Sequence, residues 1–249
     1  MNFPYKTVSV ESFAAFVKDV KTHCTEDTVL FRGQNSDKPL IPKVGRIKYR
    51  NGNILHNERV LFREFKRLSV PYITVVPKNP WEWLTLAQHH GLPTRLLDWT
   101  INPLAALWFA VEKPSNNLNN KETRGVVWMF SPNDNEIINL DIIESSKRPD
   151  PFSIPRTQLF QPSVVSNRVT TQLGWFSVHR LDATNNKFIS FETNKNYKNR
   201  LVKFVIEPKY FSDLRSDLDR FGVNKASLFP DLDALSSHIT WLHTLLEDE

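Results

Sequence analysis

The chain has 249 residues, 40% hydrophobic and 12% aromatic, enough for one domain to bury a sizeable core without a disulfide or metal staple. Its single cysteine, Cys24, excludes an internal disulfide and leaves no zinc-ligand spacing, which fits a reducing compartment. The net charge of +5 excludes little by itself, and the longest apolar stretch, around PLAALWFAV, is too short to span a bilayer, so a cytoplasmic protein with no membrane partner is expected.

In chain order, Phe13, Phe16, Val17 and Val20 recur at helical spacing and predict a helix over 10–21 with Ser9 as its cap. TVLFRG at 28–33 reads as a strand ending in a glycine turn. A second helix is expected from Asn57 to about Leu68, with Leu61, Phe65 and Leu68 toward the core. Residues 43–67 hold eight basic and two acidic side chains, a local excess of +6. Lys43, Arg46, Lys48, Arg50, Arg63, Lys66 and Arg67 are therefore candidates for contact with RNA or DNA, although a solvated helix face preceded by a basic loop explains them equally well.

WEWLTLAQHH at 81–90 reads as a short helix that Gly91 terminates in the left-handed region, and Asn102-Pro103 opens another through about Val111. PTRLLDWT is held between them. GVVWMFS (125–131) and LVKFVIE (201–207) are strands, residues 145–162 form a proline-rich irregular segment, and SNRVTTQLG (166–174) reads as a short helix closed by Gly174. It would put Arg168 and Gln172 on one face, to clamp a ligand phosphate or carboxamide, or to satisfy carbonyls of the irregular segment. Phe211, Leu214, Leu218 and Phe221 mark a helix ended by Gly222, and Leu232, Leu235, Ile239, Leu242 and Leu246 mark the last one. The pattern is α+β in one domain.

The densest polar cluster is Gln88, His89, His90, Thr94, Arg95, Asp98 and Thr100, set among Trp81, Trp83, Leu96, Leu97 and Trp99. Three readings stand open: an Arg95–Asp98 structural ion pair with the histidines ending the helix, a pocket for a phosphate-bearing aromatic ligand, or a His–Asp general base. No metal is expected, because His89 and His90 point about 100° apart on a helix. No nucleophile elbow, Walker loop or dinucleotide glycine motif occurs.

LFRGQ (30–34), LAQHHGLPTRLLDWTINPLAALWFA (86–110), RVTTQLGWF (168–176) and GVNKASLFPDLDALSSHI (222–239) resemble the successive blocks of the FRG domain, spanning most of the chain. A more distant resemblance is to ADP-ribosyltransferases of the arginine–serine–glutamate class, in which an aromatic-Arg-Gly strand precedes a Ser-Thr-Ser strand and an "NP" helix. Arg32 matches the first element, and LDWTINPLAALWFA the second. The resemblance implies a single ADP-ribosyltransferase-like domain over 1–249, with a central, mostly antiparallel sheet, whole or split, flanked by helices.

It implies NAD as cofactor, with Arg32 on the pyrophosphate or ribose, Asp98 and Thr100 at the strand edge, and Trp99 or Trp108 near the ring. Gln34, His89, His90, Thr94, Arg95, Arg168 and Gln172 would complete the pocket, and a nucleic-acid or protein acceptor would lie near 43–67. The family's Glu-x-Glu would fall near Asn224 to Ala226, where no carboxylate stands, so Asp231, Asp233 or Glu207 would have to substitute. Asp231 reads equally as the cap of the last helix. In bacteria or phages such a domain would serve as a toxin or defence effector, with a cognate antitoxin as partner. A non-catalytic nucleotide, nucleic-acid or protein binding module is the other reading.

Overall fold

The computed structural model describes residues 5–113, 123–144, 147–162 and 174–245. Its centre is an eight-stranded open sheet, mostly antiparallel, made from β1 (Lys6–Val10), β2 (Leu30–Gln34), β3 (Leu96–Thr100), β4 (Gly125–Phe130), β5 (Ile137–Ile138), β6 (Gln158–Phe160), β7 (Gly174–Val178) and, after the short β8 (Leu181–Asp182) and β9 (Lys187–Phe188) hairpin, β10 (Leu201–Ile206). The order is β1-β10-β4-β2-β3-β7-β6-β5, and only the edge pairs β1–β10 and β5–β6 are parallel.

Helices flank this sheet: α1 (Phe13–His23), α2 (Lys43–Arg46), α3 (Ile54–Ser69), α4 (Pro80–His89), α5 (Pro103–Val111), α6 (Phe211–Arg220), α7 (Lys225–Leu228) and α8 (Leu232–Leu242). The first core cluster joins Phe31, Val127, Met129 and Phe204 of the sheet to α1, α5 and α6. The opposite face carries Leu30, Leu97, Trp99, Trp128 and Phe130. Leu96, Phe160, Phe176 and Val178 pack against Trp81 and Leu84 of α4. No helix among the described residues is long and apolar enough to cross a membrane.

Several elements follow directly from local chemistry. Asn102 accepts from the amides of Leu104 and Ala105, Pro103 fills the first turn of α5, and Asn79 caps α4 in the same way. Gly91 and Gly222 take φ of +78° and +77° just past α4 and α6. The start of the chain differs from the periodic reading: residues 6–10 pair with β10, and α1 begins only after Ser12, whose side chain accepts from the Ala15 amide. Gly174 begins β7, and residues 166–173, where the short helix was expected, lie outside the described residues.

In α3 the buried positions are Ile54 and Glu58, and Leu68 is 55% exposed. The last helix is also inverted: Ala234 is its buried residue, while Leu232, Leu235, Ile239 and Leu242 face water.

β2 lies close under α5. A Cβ on Gly33 would stand 1.8 Å from the Ala106 carbonyl oxygen and 2.8 Å from the Phe109 Cβ, so strand and helix approach through a missing side chain. Gly33→Ala is expected to lower unfolding free energy by about 3 kcal/mol in urea titrations, because backbone must move. Gly52→Ala, at φ +70° with nothing within 4 Å, is expected to lose only about 1 kcal/mol. Equal losses would contradict the close approach.

Candidate functional site

Alternation along β2 sends Phe31 and Gly33 toward α5, and Leu30, Arg32 and Gln34 to the opposite face. β2 and β3 share a single rung, Phe31 opposite Thr100, whereas β2 pairs with β4 over five residues and β3 with β7 over five. Arg32 and Asp98 stand at this parting. Arg32 Nη1 donates to the Asp98 carbonyl at 2.7 Å and to its carboxylate Oδ2 at 3.4 Å.

From the end of α4, Gln88 Nε2 donates to both Asp98 carboxylate oxygens, at 3.1 and 3.0 Å. Gln88 Oε1 accepts from the Thr94 hydroxyl at 2.6 Å, and Thr94 Oγ1 accepts from the Leu96 amide at 3.1 Å. The carboxylate is thus set by a relay that starts at the backbone of β3 itself. Asp98 remains 59% exposed, whereas the Arg32 side chain is 16% exposed.

Two polar atoms here are buried without a hydrogen-bond partner: Arg32 Nε and Gln34 Oε1. They lie on one face of one strand, two residues apart, one a donor and one an acceptor. Leaving such groups unmet costs about 1–3 kcal/mol each. Burial pushes the Arg32 pKa down, Asp98 opposes this, and the charge of Arg46 adds to the depression. Arg46 belongs to α2, which is strapped over the α4–β3 turn by Lys43 Nζ donating to the Gly91 carbonyl at 2.8 Å and by the Val44 amide donating to Thr94 O at 3.3 Å. His89 and His90 meet edge to face, 5.3 Å between ring centroids, and His90 is exposed. Among the described residues no group of three His, Cys, Asp or Glu side chains could hold a metal ion.

Other members of the predicted cluster prove to be scaffold. Arg95 does not pair with Asp98: three residues apart on an extended chain, they leave on opposite sides. It forms a bidentate pair with Glu58 of α3, Nε to Oε1 at 2.9 Å and Nη2 to Oε2 at 2.5 Å, with the side chains 1% and 2% exposed. Arg95 Nη1 adds a bond to the Pro151 carbonyl at 3.2 Å, so neither its charge nor its donors face a ligand.

Trp99 is 3% exposed inside the second core cluster and does not wall a pocket. Trp108 is 7% exposed, against Phe109 and Phe229. Thr100 Oγ1 accepts from the Asn102 amide at 3.0 Å. Asp231 caps α8, accepting from the Ala234 amide at 2.7 Å, and Glu207 pairs with Arg124 at 2.9 Å. Arg168 and Gln172 lie outside the described residues.

Of the basic candidates, Lys48 and Arg50 are exposed, as are Arg63 and Arg67, which flank Glu64. Lys66 instead lies over the Phe62 and Trp83 rings. Glu58 is buried against Arg95, and Arg59 lies 3.6 Å from Asp150 at the surface, so the local charge is not the count along the sequence.

The periodic reading overlooks Glu58, Ser177 and His179. Glu58 was visible as a carboxylate four residues from both Ile54 and Phe62, on the inward stripe of α3. Trp99 Nε1 donates to Ser177 Oγ at 2.9 Å, and Ser177 Oγ lies 2.9 Å from His179 Nε2. The indole donates to the serine oxygen, which keeps its own proton and a second lone pair for the ring of His179. Burial, with Arg32 and Arg95 nearby, lowers the His179 pKa to about 3 and keeps the ring neutral.

Breaking the buried pair with Glu58→Ala is expected to cost about 3–5 kcal/mol in denaturant unfolding, against less than about 1 kcal/mol for the exposed Arg67→Ala. His179 contributes a pH dependence of definite sign. Its folded pKa of about 3 lies below the ordinary 6.5, so between these values the unfolded chain binds more protons and stability falls as pH falls. Unfolding titrations from pH 7 to pH 4 should give a shallower decline for His179→Gln than for the wild type.

No curated protein and no solved structure matches the chain. The family model for the FRG domain matches residues 27–119, a range that holds β2, the strap of α2 and α3, α4, β3 and α5, and with them Arg32, Gln34, Gln88, Thr94 and Asp98. The motif blocks at 168–176 and 222–239 fall beyond the matched range. Over residues 27–119, the chain carries an FRG domain.

Proposed function

We propose that the parting of β2 and β3 binds a pyrophosphate-bearing nucleotide of the NAD class, with Arg32 as the anion anchor. The observation that carries this is the state of Arg32: Nη1 is fixed by Asp98 while Nε is buried without a partner. A guanidinium oriented in advance recognises a phosphate by its planar fork, and little freedom is lost on binding. Two residues on, Gln34 Oε1 is an unmet acceptor suited to a ligand N–H, as in a carboxamide or an adenine amine. Lys43 and Arg46 surround the turn beside it and add positive potential.

A second reading, ADP-ribosyl transfer, is favoured by the exposure of Asp98. Its carboxylate has lone pairs beyond those taken by Gln88 and Arg32 and lies beside the proposed anchor. There it would accept a hydrogen bond from a ribose hydroxyl and stabilise positive charge developing on the ring as nicotinamide leaves. In this reading Asp98 supplies the carboxylate absent from 224–226, and the exposed Lys48, Arg50, Arg63 and Arg67 draw in a polyanionic acceptor.

The test is thermal shift with NAD, ADP-ribose and ATP, joined to chromatographic measurement of nicotinamide released with and without RNA. Ligand at 100 times its dissociation constant should stabilise the wild type by about 2.7 kcal/mol, and Arg32→Lys should lose most of that. Asp98→Asn should retain binding and release no nicotinamide. If none of these nucleotides stabilises the wild type, the binding site is refuted; stabilisation without nicotinamide release from the wild type refutes the transfer reading alone.

A further inference from the structure

On the α5 side of the sheet, opposite the face that carries Arg32, a cavity of about 360 Å³ opens between the end of α5, α6, the start of α7 and α8. It exists because α8 is laid down by its polar side: Ser237, His238, Thr240 and Trp241 turn inward, whereas Leu235 and Ile239 face water. Interdigitating apolar side chains would have closed this space.

Two indoles, Trp108 from α5 and Trp241 from α8, line the cavity. The His238 ring stacks beside Trp241, 5.9 Å between centroids and 25° between planes. That ring is held in turn: its Nε2 is 3.4 Å from Asp219 Oδ1, and the same oxygen accepts from Asn224 Nδ2 at 2.8 Å. The aromatic wall is therefore set before any ligand arrives, and a flat ring gains by stacking on it.

Two polar groups in this wall are unmet. Trp241 Nε1 is buried and makes no hydrogen bond; an indole nitrogen only donates, so what it lacks is an acceptor. The carboxyl of Glu112, one residue past α5, is partly buried and accepts no hydrogen bond among the described residues. Burial pushes its pKa up against the pull of Lys113 and Lys225. A carboxylate so placed gains from two N–H donors presented side by side. Lys225, by contrast, already donates to Ser237 Oγ at 2.8 Å.

Charge narrows the ligand. Lys113, Arg215 and Lys225 stand with Glu112 and Asp219 around one space, so a phosphate would meet carboxylates and an ammonium would meet cations. An uncharged, flat, polar molecule avoids both conflicts. It must carry an acceptor for Trp241 and two adjacent N–H groups for Glu112. The edge of guanine has both: a ring N–H beside the exocyclic amine, with the carbonyl and the imidazole nitrogen as acceptors. Adenine offers a single amine at that edge. A nucleoside is also within the range of ligands that a cavity of this size takes.

We propose that this cavity binds a guanine nucleoside, with Glu112 accepting from the two N–H groups of the base, Trp241 Nε1 donating to a purine acceptor, and the ring against the aromatic wall. The site does not depend on the nucleotide reading of the strand parting.

Isothermal titration of the full chain with guanosine, inosine and adenosine tests this, with no phosphate present for Arg32 to anchor. Guanosine should bind saturably; inosine, which lacks the exocyclic amine, should bind about tenfold more weakly, and adenosine more weakly still. Glu112→Gln keeps the size of the side chain but turns an amide donor toward the base, and should weaken guanosine about tenfold or more. Trp241→Phe keeps a ring and removes the unmet N–H. It should weaken guanosine by a similar factor while the melting temperature of the free protein stays unchanged or rises. Arg32→Lys should bind guanosine as the wild type does. No saturable binding of guanosine, equal affinity for adenosine, full affinity in either cavity variant, or a loss in Arg32→Lys would each overturn the proposal.

Discussion

The carbonyl of Ala106 occupies the space that a side chain at position 33 would fill, and the arrangement of the centre depends on that contact. With α5 pressed onto β2, and β3 running into the same helix through Thr100, Ile101 and the Asn102 cap, the two strands have room for one shared rung. The Phe-Arg-Gly triplet thereby gains a separate physical reason for each residue. Phe31 fills the core beneath the helix, Gly33 admits the helix backbone, and Arg32, between them, is sent to the other face, where the strands part.

A second constraint separates scaffold from site within one polar cluster. The buried Glu58–Arg95 pair ties α3 to the start of β3 and to the 147–162 segment, and Trp99, Ser177 and His179 lock β3 to β7 on the buried face. Their hydrogen bonds are satisfied within the protein. Arg32 Nε and Gln34 Oε1 are left unmet at the strand parting, and the proposed binding reading rests on this contrast more than on the number of polar residues.

Much of the fold was legible because local and global signals agree. The β4 and β10 segments are apolar and bounded, Asn102-Pro103 starts a helix, and Gly91 ends one. Residues 6–10 were obscured because the strong helical period beginning at Phe13 drew Val10 and Ser9 into it, although their pairing with β10, almost 200 positions away, decides the matter. The supposed Arg95–Asp98 pair could have been rejected from the period of a strand alone. The true partner of Arg95, 37 positions earlier, could not have been chosen without the packing of α3. For the last helix the periodicity was correct, but it could not say which side faced inward.

The single rung between β2 and β3 bears on what counts as a unit of folding. Both strands lie within residues 27–119, yet the partner that completes β2 is β4 and the partner that completes β3 is β7, both encoded later. The FRG segment therefore supplies two of the eight strands of an interleaved sheet, and cut out alone it would present unpaired strand edges. During synthesis β2 and β3 must await residues 125–130 and 174–178 before their ladders close, and β1 must await 202–206. Closure so late along the chain favours slow folding governed by non-local contacts.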